Sequence, residues 1–160
     1  MEKNPSSYYK VRFSDCDLFG HLNNARYIDY FVDAREDHLK EHYDIDLKTF
    51  YGQGIAWVVG SHEIIYRRPA LYNERIYITS SVLKVTDDVI LVEMLMMDEK
   101  KSHFKSIVWT TFIPVNVKTG KKEKHTASFM EFAAGVEVSG IDIASGIRER
   151  EKGLRLLLQE

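Results

Sequence analysis

Apolar positions change period along this chain, and the change divides it into one helical stretch and several extended ones. From Asn23 to about Tyr43, the apolar residues Tyr27, Ile28, Phe31, Ala34 and Leu39 cluster at helical spacing. Arg26, Asp29, Asp33, Glu36, Asp37 and Lys40 mostly fall on the opposite side, the signature of an amphipathic helix. Asn23 or Asn24 is its predicted N-cap. Before it, Tyr8 to Ser14 alternates loosely and predicts a short strand. A Gly-containing loop, Tyr51 to Gly54, follows the helix, and the pattern then turns to β. Ile55 to Arg68 is rich in Val, Ile and Tyr and stops at Pro69. Glu74 to Val85 alternates and ends at Thr86-Asp87-Asp88, a tight-turn signal. Val89 to Asp98 and Ser102 to Val115 form a further pair joined by the charged Glu99 to Lys101. Pro114 marks a strand that lies on the sheet edge or is leaving the sheet. This order predicts an α+β fold, with an antiparallel sheet of about five strands packed on one long helix.

Asn116 to Lys124 reads as a polar turn and Thr126 to Ala134 as a short helix. Residues 1–134 are expected to form the main domain, and residues 135–160 a C-terminal extension. Within the extension, Gly135 to Gly146 is weakly patterned. Ile147 to Gln159 (IREREKGLRLLLQ) predicts an amphipathic helix that docks on its own subunit or on a partner. A partly ordered tail is the other reading.

Composition changes this picture little. The 160 residues, 44% hydrophobic and 29% charged, suit one globular domain. A net charge of -2 supplies no field for nucleic acid or an anionic membrane. No apolar run has the length of a signal peptide or a membrane span. The single cysteine, Cys16, cannot form an internal disulfide, so a reducing cytoplasmic location is expected.

Candidate chemistry concentrates in one stretch, Asp15 to Tyr30 (DCDLFGHLNNARYIDY). A helix start needs one capping side chain, yet here two carboxylates, a histidine and two asparagines surround Gly20. The N–H groups of a helix N-terminus suit a developing oxyanion. A nearby carboxylate can attack a carbonyl or take a proton from water. Two readings of these residues stay open: a structural loop with Asp17 and Asn23 as turn and cap residues, which is the more economical, or a site. Like charge on Asp15 and Asp17 opposes double ionisation. Asp17 is expected to be the ionised one and Asp15 to be structural. Cys16, between two carboxylates, is a poor nucleophile. Asp15, Asp17 and His21 lack an accompanying histidine cluster with ligand spacing, so no metal is expected, and no cofactor.

The run DCDLFGHLNNARY resembles the signature of hotdog-fold acyl-CoA thioesterases of the 4-hydroxybenzoyl-CoA thioesterase-like group, and IIYRRPALYNERIYI resembles that family's next landmark. The resemblance spans about Tyr8 to Val115. It implies a hotdog fold, in which the antiparallel sheet wraps around one long helix, and hydrolysis of an acyl-CoA to free acid and CoA. Asp17 matches the catalytic carboxylate, and the helix start at Asn23 and Asn24 matches the backbone N–H that polarises the thioester carbonyl. His21 aligns with a catalytic histidine of plant acyl-carrier-protein thioesterases. Those enzymes have asparagine where this chain has Phe19, so His21 is assigned a supporting role. Family members work as homodimers or homotetramers with sites between subunits.

On the substrate side, Phe19, Tyr27, Phe31, Trp57 and Val59 are candidates for the acyl pocket, although core packing is the simpler role for most. Val59, Gly60 and Ser61 are expected along the pantetheine arm. Arg67 and Arg68, then Lys121 and Lys122, are expected at the nucleotide phosphates. The rival functions are a non-catalytic acyl-thioester-binding hotdog protein and an enoyl-thioester hydratase. The hydratases carry Asn-Pro between their Asp and His, which DLFGH lacks.

Overall fold

The long helix is α1, Tyr27–Tyr43, in a computed structural model that describes residues 1–159. Its buried residues are Tyr27, Tyr30, Phe31, Ala34, Arg35 and His38. Ile28 and Leu39, expected on this face, are only half-buried. The face is therefore turned slightly from the apolar stripe, because two polar residues, Arg35 and His38, go inside with it. The helix ends where Asp44 takes φ 54° and its N–H bonds Leu39 O. Asp is one of the few residues that tolerates this left-handed conformation.

Five strands surround α1: β1 (Ser6–Lys10), β2 (Ile55–Tyr66), β3 (Arg75–Val85), β4 (Ile90–Asp98) and β5 (Phe104–Asn116). They form one antiparallel sheet in the order β1-β3-β4-β5-β2. The β3–β4 turn falls at Thr86 to Val89 as expected, closed by Thr86 N–H to Val89 O at 2.9 Å. β1 runs earlier than the Tyr8 to Ser14 expectation. Its partner β3 begins at Arg75 opposite Lys10, so the ladder ends there and Phe13–Asp15 coils into a 3-10 turn. Pro114 also departs from expectation: β5 is an inner strand, and β2 pairs it from Ser106 to Asn116. The β4 ladder stops at Phe112, so the missing Pro N–H costs no β4 bond.

Period-2 alternation gives the sheet two cores. Ile76, Ile78, Val92, Met94, Met96 and Val108 meet Tyr27, Phe31 and Ala34 on the α1 side. Leu83, Phe104, Ile107 and Trp109 face the other way and pack with Ile147. Three further helices follow from the rest of the chain. Helix α2 (Leu47–Gly52), capped by Asp46, fills a stretch that the pattern left unassigned and takes in Tyr51 and Gly52 of the expected loop; six residues are too few to show a period. Helix α3 is Ala127–Val136 and α4 is Ile147–Leu157. No helix of the described residues is long and apolar enough to cross a membrane.

Gly60 lies at a bulge where the β2–β5 register shifts between Val59 and Ser61. A Cβ there meets Ile113 Cδ1 at 2.6 Å and Thr111 Oγ1 at 2.9 Å, so only glycine fits without movement of β5 side chains.

Candidate active site

The loop before α1 is a tight hairpin. Asp17 N–H bonds His21 O at 2.8 Å and Gly20 N–H bonds Asp17 O at 3.1 Å, with Gly20 at φ 72°. The Asp17 carboxylate is exposed, and its Oδ1 accepts from Phe19 N–H at 2.9 Å and His21 N–H at 3.1 Å. Two donors on one oxygen fix the carboxylate's direction.

Asp15 has a different environment. It is half-buried, and Oδ2 accepts from the Tyr30 hydroxyl at 2.7 Å. Tyr30 in turn accepts Arg12 N–H at 3.0 Å. Burial, followed by the Asp15 contact, pushes the Tyr30 phenol up to about 12, so it stays a neutral donor. Asp15 is thus tied to α1 through Tyr30, whereas the Asp17 carboxylate is exposed and held only by its own hairpin. Burial and then the two flanking carboxylates raise the Cys16 thiol, which opposes thiolate formation.

Asn23 is the cap, its side chain accepting Ala25 N–H at 3.0 Å. Asn24 begins the 3-10 turn Asn24–Arg26 that runs into α1. The residue is exposed, and its backbone N–H has no protein acceptor among the described residues. The second landmark docks here. Tyr66, from the Tyr-Arg-Arg-Pro run, donates to Asn24 O at 2.8 Å, and its ring lies edge-on to Tyr27 at 5.0 Å. Leu22 N–H bonds Ala70 O and Tyr72 N–H bonds Gly20 O, both at 2.8 Å. The two sequence landmarks are therefore one structural unit. Pattern reasoning passed over Tyr66 as a site neighbour, although its place in the second landmark was the available signal. It also passed over Lys105, whose buried Nζ holds Pro69 O at 3.0 Å and Glu74 Oε1 at 2.9 Å beneath this turn.

A largely apolar cavity of about 440 Å³ opens beside the middle and C-terminal half of α1. Val32 and Leu39 of α1, Phe50 of α2, Trp57 and Val59 of β2 and Phe129 of α3 are among its walls. Of the acyl-pocket candidates, Trp57 and Val59 line it. Phe31 and Tyr27 lie in the core, with Tyr27 accepting Ala70 N–H at 2.9 Å, and Phe19 is 84% exposed outside it. Trp57 is oriented by His125: indole N–H donates to Nε2 at 3.0 Å, and Nδ1 bonds Thr86 O at 2.8 Å. The contributions of α2 and α3 to this wall had no local signal, because they depend on chain segments meeting in space.

Gly60 and Ser61 continue along β2, where residues 58–63 are exposed and Ser61 Oγ meets Thr111 Oγ1 at 2.8 Å. Arg67 is exposed and pairs with Glu151 of α4 at 3.7 Å; Arg68 is exposed beside it. Lys122 pairs with Asp88 at 2.8 Å. Among the described residues no group of three or more His, Cys, Asp or Glu could hold a metal ion.

Residues 11–134 match the family model of the thioesterase-like superfamily. The chain is 30% identical over 112 residues to the long-chain acyl-CoA thioesterase FadM of Escherichia coli K12, covering 70% of this chain and 83% of that protein. Among solved structures, YbaW, a probable thioesterase from Escherichia coli, aligns with TM-score 0.70 and 27% identity over 84% of this chain and 98% of that one. A DHNA-CoA thioesterase from Staphylococcus aureus shares the fold, with TM-score 0.75 and 18% identity over 82% and 89% of the two chains. These matches, together with an antiparallel sheet wrapped around α1, bear out the hotdog fold and the resemblance read from the Asp17 loop. The chain belongs to the thioesterase-like superfamily.

Proposed function

We propose that the protein hydrolyses acyl-CoA thioesters, with Asp17 as the reacting carboxylate and the Asn24 N–H as the donor to the thioester carbonyl. One observation carries this reading: an exposed, backbone-oriented carboxylate sits in the hairpin that leads directly into an unpaired helix-start N–H. As the carbonyl carbon is attacked, its oxygen becomes negative, and an N–H at the positive end of α1 stabilises it. Asp17 either attacks that carbon, forming an anhydride that water cleaves, or takes a proton from the attacking water. CoA leaves as the thiolate in both routes. His21, half-buried and bonded through its backbone to Asp17, is a positioning residue.

The acyl chain is assigned to the cavity beside α1, the pantetheine arm to Val59 to Ser61, and the nucleotide phosphates to Arg67 and Arg68. The long-chain specificity of FadM agrees with an apolar cavity of this size. The proposed assembly is at least a homodimer, supported by the exposed β2 edge and by the family's habit of building sites between subunits. A cytoplasmic location is proposed on the lone cysteine.

A rival role for Asp17 also has an observation behind it, since an Asp that accepts the N–H groups two and four residues on is a common turn device. Asp17→Asn separates the roles. It retains size and an acceptor oxygen, so the fold persists, and loss of the reacting carboxylate lowers kcat by about 10² to 10⁴ with little change in KM. A folded Asp17→Asn protein that works at the native rate removes Asp17 from catalysis. Single turnover in ¹⁸O water then distinguishes the routes, because label enters Asp17 only through the anhydride.

A further inference from the structure

The cavity wall is apolar in its interior except at Arg35. The Arg35 side chain is only 8% exposed, and one Nη1–H goes to Ser80 Oγ at 3.1 Å. No carboxylate pairs with it among the described residues. Glu36, the carboxylate on the same wall, is exposed and adjacent in sequence, and neighbouring helix positions do not face each other. A guanidinium has five donors and keeps its charge, and buried charges are normally paired. Ser80 takes one of those five donors.

The neighbourhood adds no compensating charge. His38 shares Ser80, with Nδ1 2.8 Å from Oγ, and its Nε2 has no partner. Burial first and Arg35 second lower the His38 pKa to about 4, so it remains neutral beside the cation. Lys48, at the exposed rim of the cavity, is a second cation.

Position along α1 links this cation to the thioester site. Ile28, Val32, Arg35 and Leu39 share one face of α1 at the four- and three-residue spacing, and Asn24 lies on the 3-10 turn that leads into it. Arg35 lies eleven residues beyond Asn24, about 18 Å along the 3-10 turn and the helix. A chain whose thioester carbonyl sits at Asn24 therefore runs down this face toward Arg35.

We propose that Arg35 determines acyl specificity by taking an oxygen-acceptor group, in its strongest form a carboxylate, at the remote end of the acyl chain. The preferred substrates are then ω-carboxyacyl thioesters in place of plain alkyl ones. This rests on the thioester-hydrolase reading above.

The test compares carboxylate-ended with methyl-ended acyl-CoAs of equal length, from six to sixteen carbons. The native enzyme is expected to favour the carboxylate-ended series in kcat/KM at its best length. Arg35→Met is expected to lower that preference ratio about 10- to 100-fold, and Arg35→Lys to retain part of it. A native ratio at or below one overturns the proposal, as does an unchanged ratio in a folded Arg35→Met protein. A second readout does not need hydrolysis: binding of monomethyl sebacate against methyl decanoate, followed by Trp57 fluorescence. Tighter binding of monomethyl sebacate without cleavage of any thioester supports Arg35 and removes the hydrolase reading. Equal binding of the two esters overturns the Arg35 assignment even where alkyl thioesters are cleaved. If Arg35→Met does not fold, the native ratio and the ester pair decide.

Discussion

His38 shows how one residue can carry a pH dependence into the whole fold. It is fully buried on α1, bonded through Nδ1 to Ser80, and its pKa falls from 6.5 to about 4 because burial and the Arg35 charge disfavour the imidazolium. Between those values the unfolded chain binds a proton that the folded chain refuses. The stability from keeping His38 neutral is therefore complete above about pH 6.5 and lost as pH falls toward 4, by up to about 3 kcal/mol. Urea unfolding at pH 7.5 and pH 5 checks this. The native protein is expected to lose more stability over that interval than His38→Gln, which has no group to titrate there. Equal losses in the two proteins mean that His38 contributes no linkage. Residue chemistry was legible in part: the Asp15 to Asn24 cluster stood out as surplus to capping, whereas nothing local marked His38 or Arg35 as buried.

At the scale of elements, α4 is held to the outer face of the sheet by a buried ion pair as well as by apolar contact. Glu93 on β4 is 2% exposed and accepts from Arg150 at 2.8 and 2.9 Å and from Trp109 N–H at 2.9 Å. Ile147 is buried against Ile107 and Trp109, with Leu154 and Leu158 packed at the margin. The helical reading of the tail is present in the structure, docked on its own chain. Leu156 and Leu157, each 77% exposed, do not contribute to that docking. Removing Arg150 leaves a buried carboxylate without its counter-charge, so Arg150→Met is expected to destabilise the fold by about 3 kcal/mol. Adding Glu93→Gln should recover a large part, since the amide carries no charge to bury. Urea midpoints followed by tryptophan fluorescence give both values. No recovery in the double variant means that packing, and not charge, holds α4.

The whole molecule exposes more apolar surface than one isolated subunit explains. Leu18, Phe19, Phe13 and Tyr72 around the Asp17 hairpin, and Val58 and Val59 on β2, are between 44% and 103% exposed. β2 is also an edge strand of 12 residues whose outer hydrogen-bonding groups face no strand in this chain. A long edge strand with few charges and exposed apolar residues is the kind of surface that pairs with another strand. If two copies join there, Val58→Asp places a charge in the interface without touching the hairpin. Sedimentation velocity at micromolar concentration is expected to show a native dimer or larger species and a shift toward monomer in Val58→Asp. A native monomer rejects the assembly, and an unshifted variant moves the interface away from β2.

Local chemistry by itself determined where α1 lies, where the four long strands run and turn, and which loop carries the reactive groups. Each of these is written in short-range terms: a period of 3.6 or 2, a Thr-Asp-Asp turn, a cap placed before a helix. The resemblance of DCDLFGHLNNARY to a known signature added the expected roles within that loop. Only the tertiary structure decided which face of α1 turns inward, because burying Arg35 and His38 depends on Ser80 arriving from β3. It also decided that β1 ends at Lys10, opposite the first residue of β3, and that α2 and α3 close an apolar cavity against Trp57 and Val59. A cavity is a property of surfaces brought together from distant parts of the chain, and no window of sequence contains it.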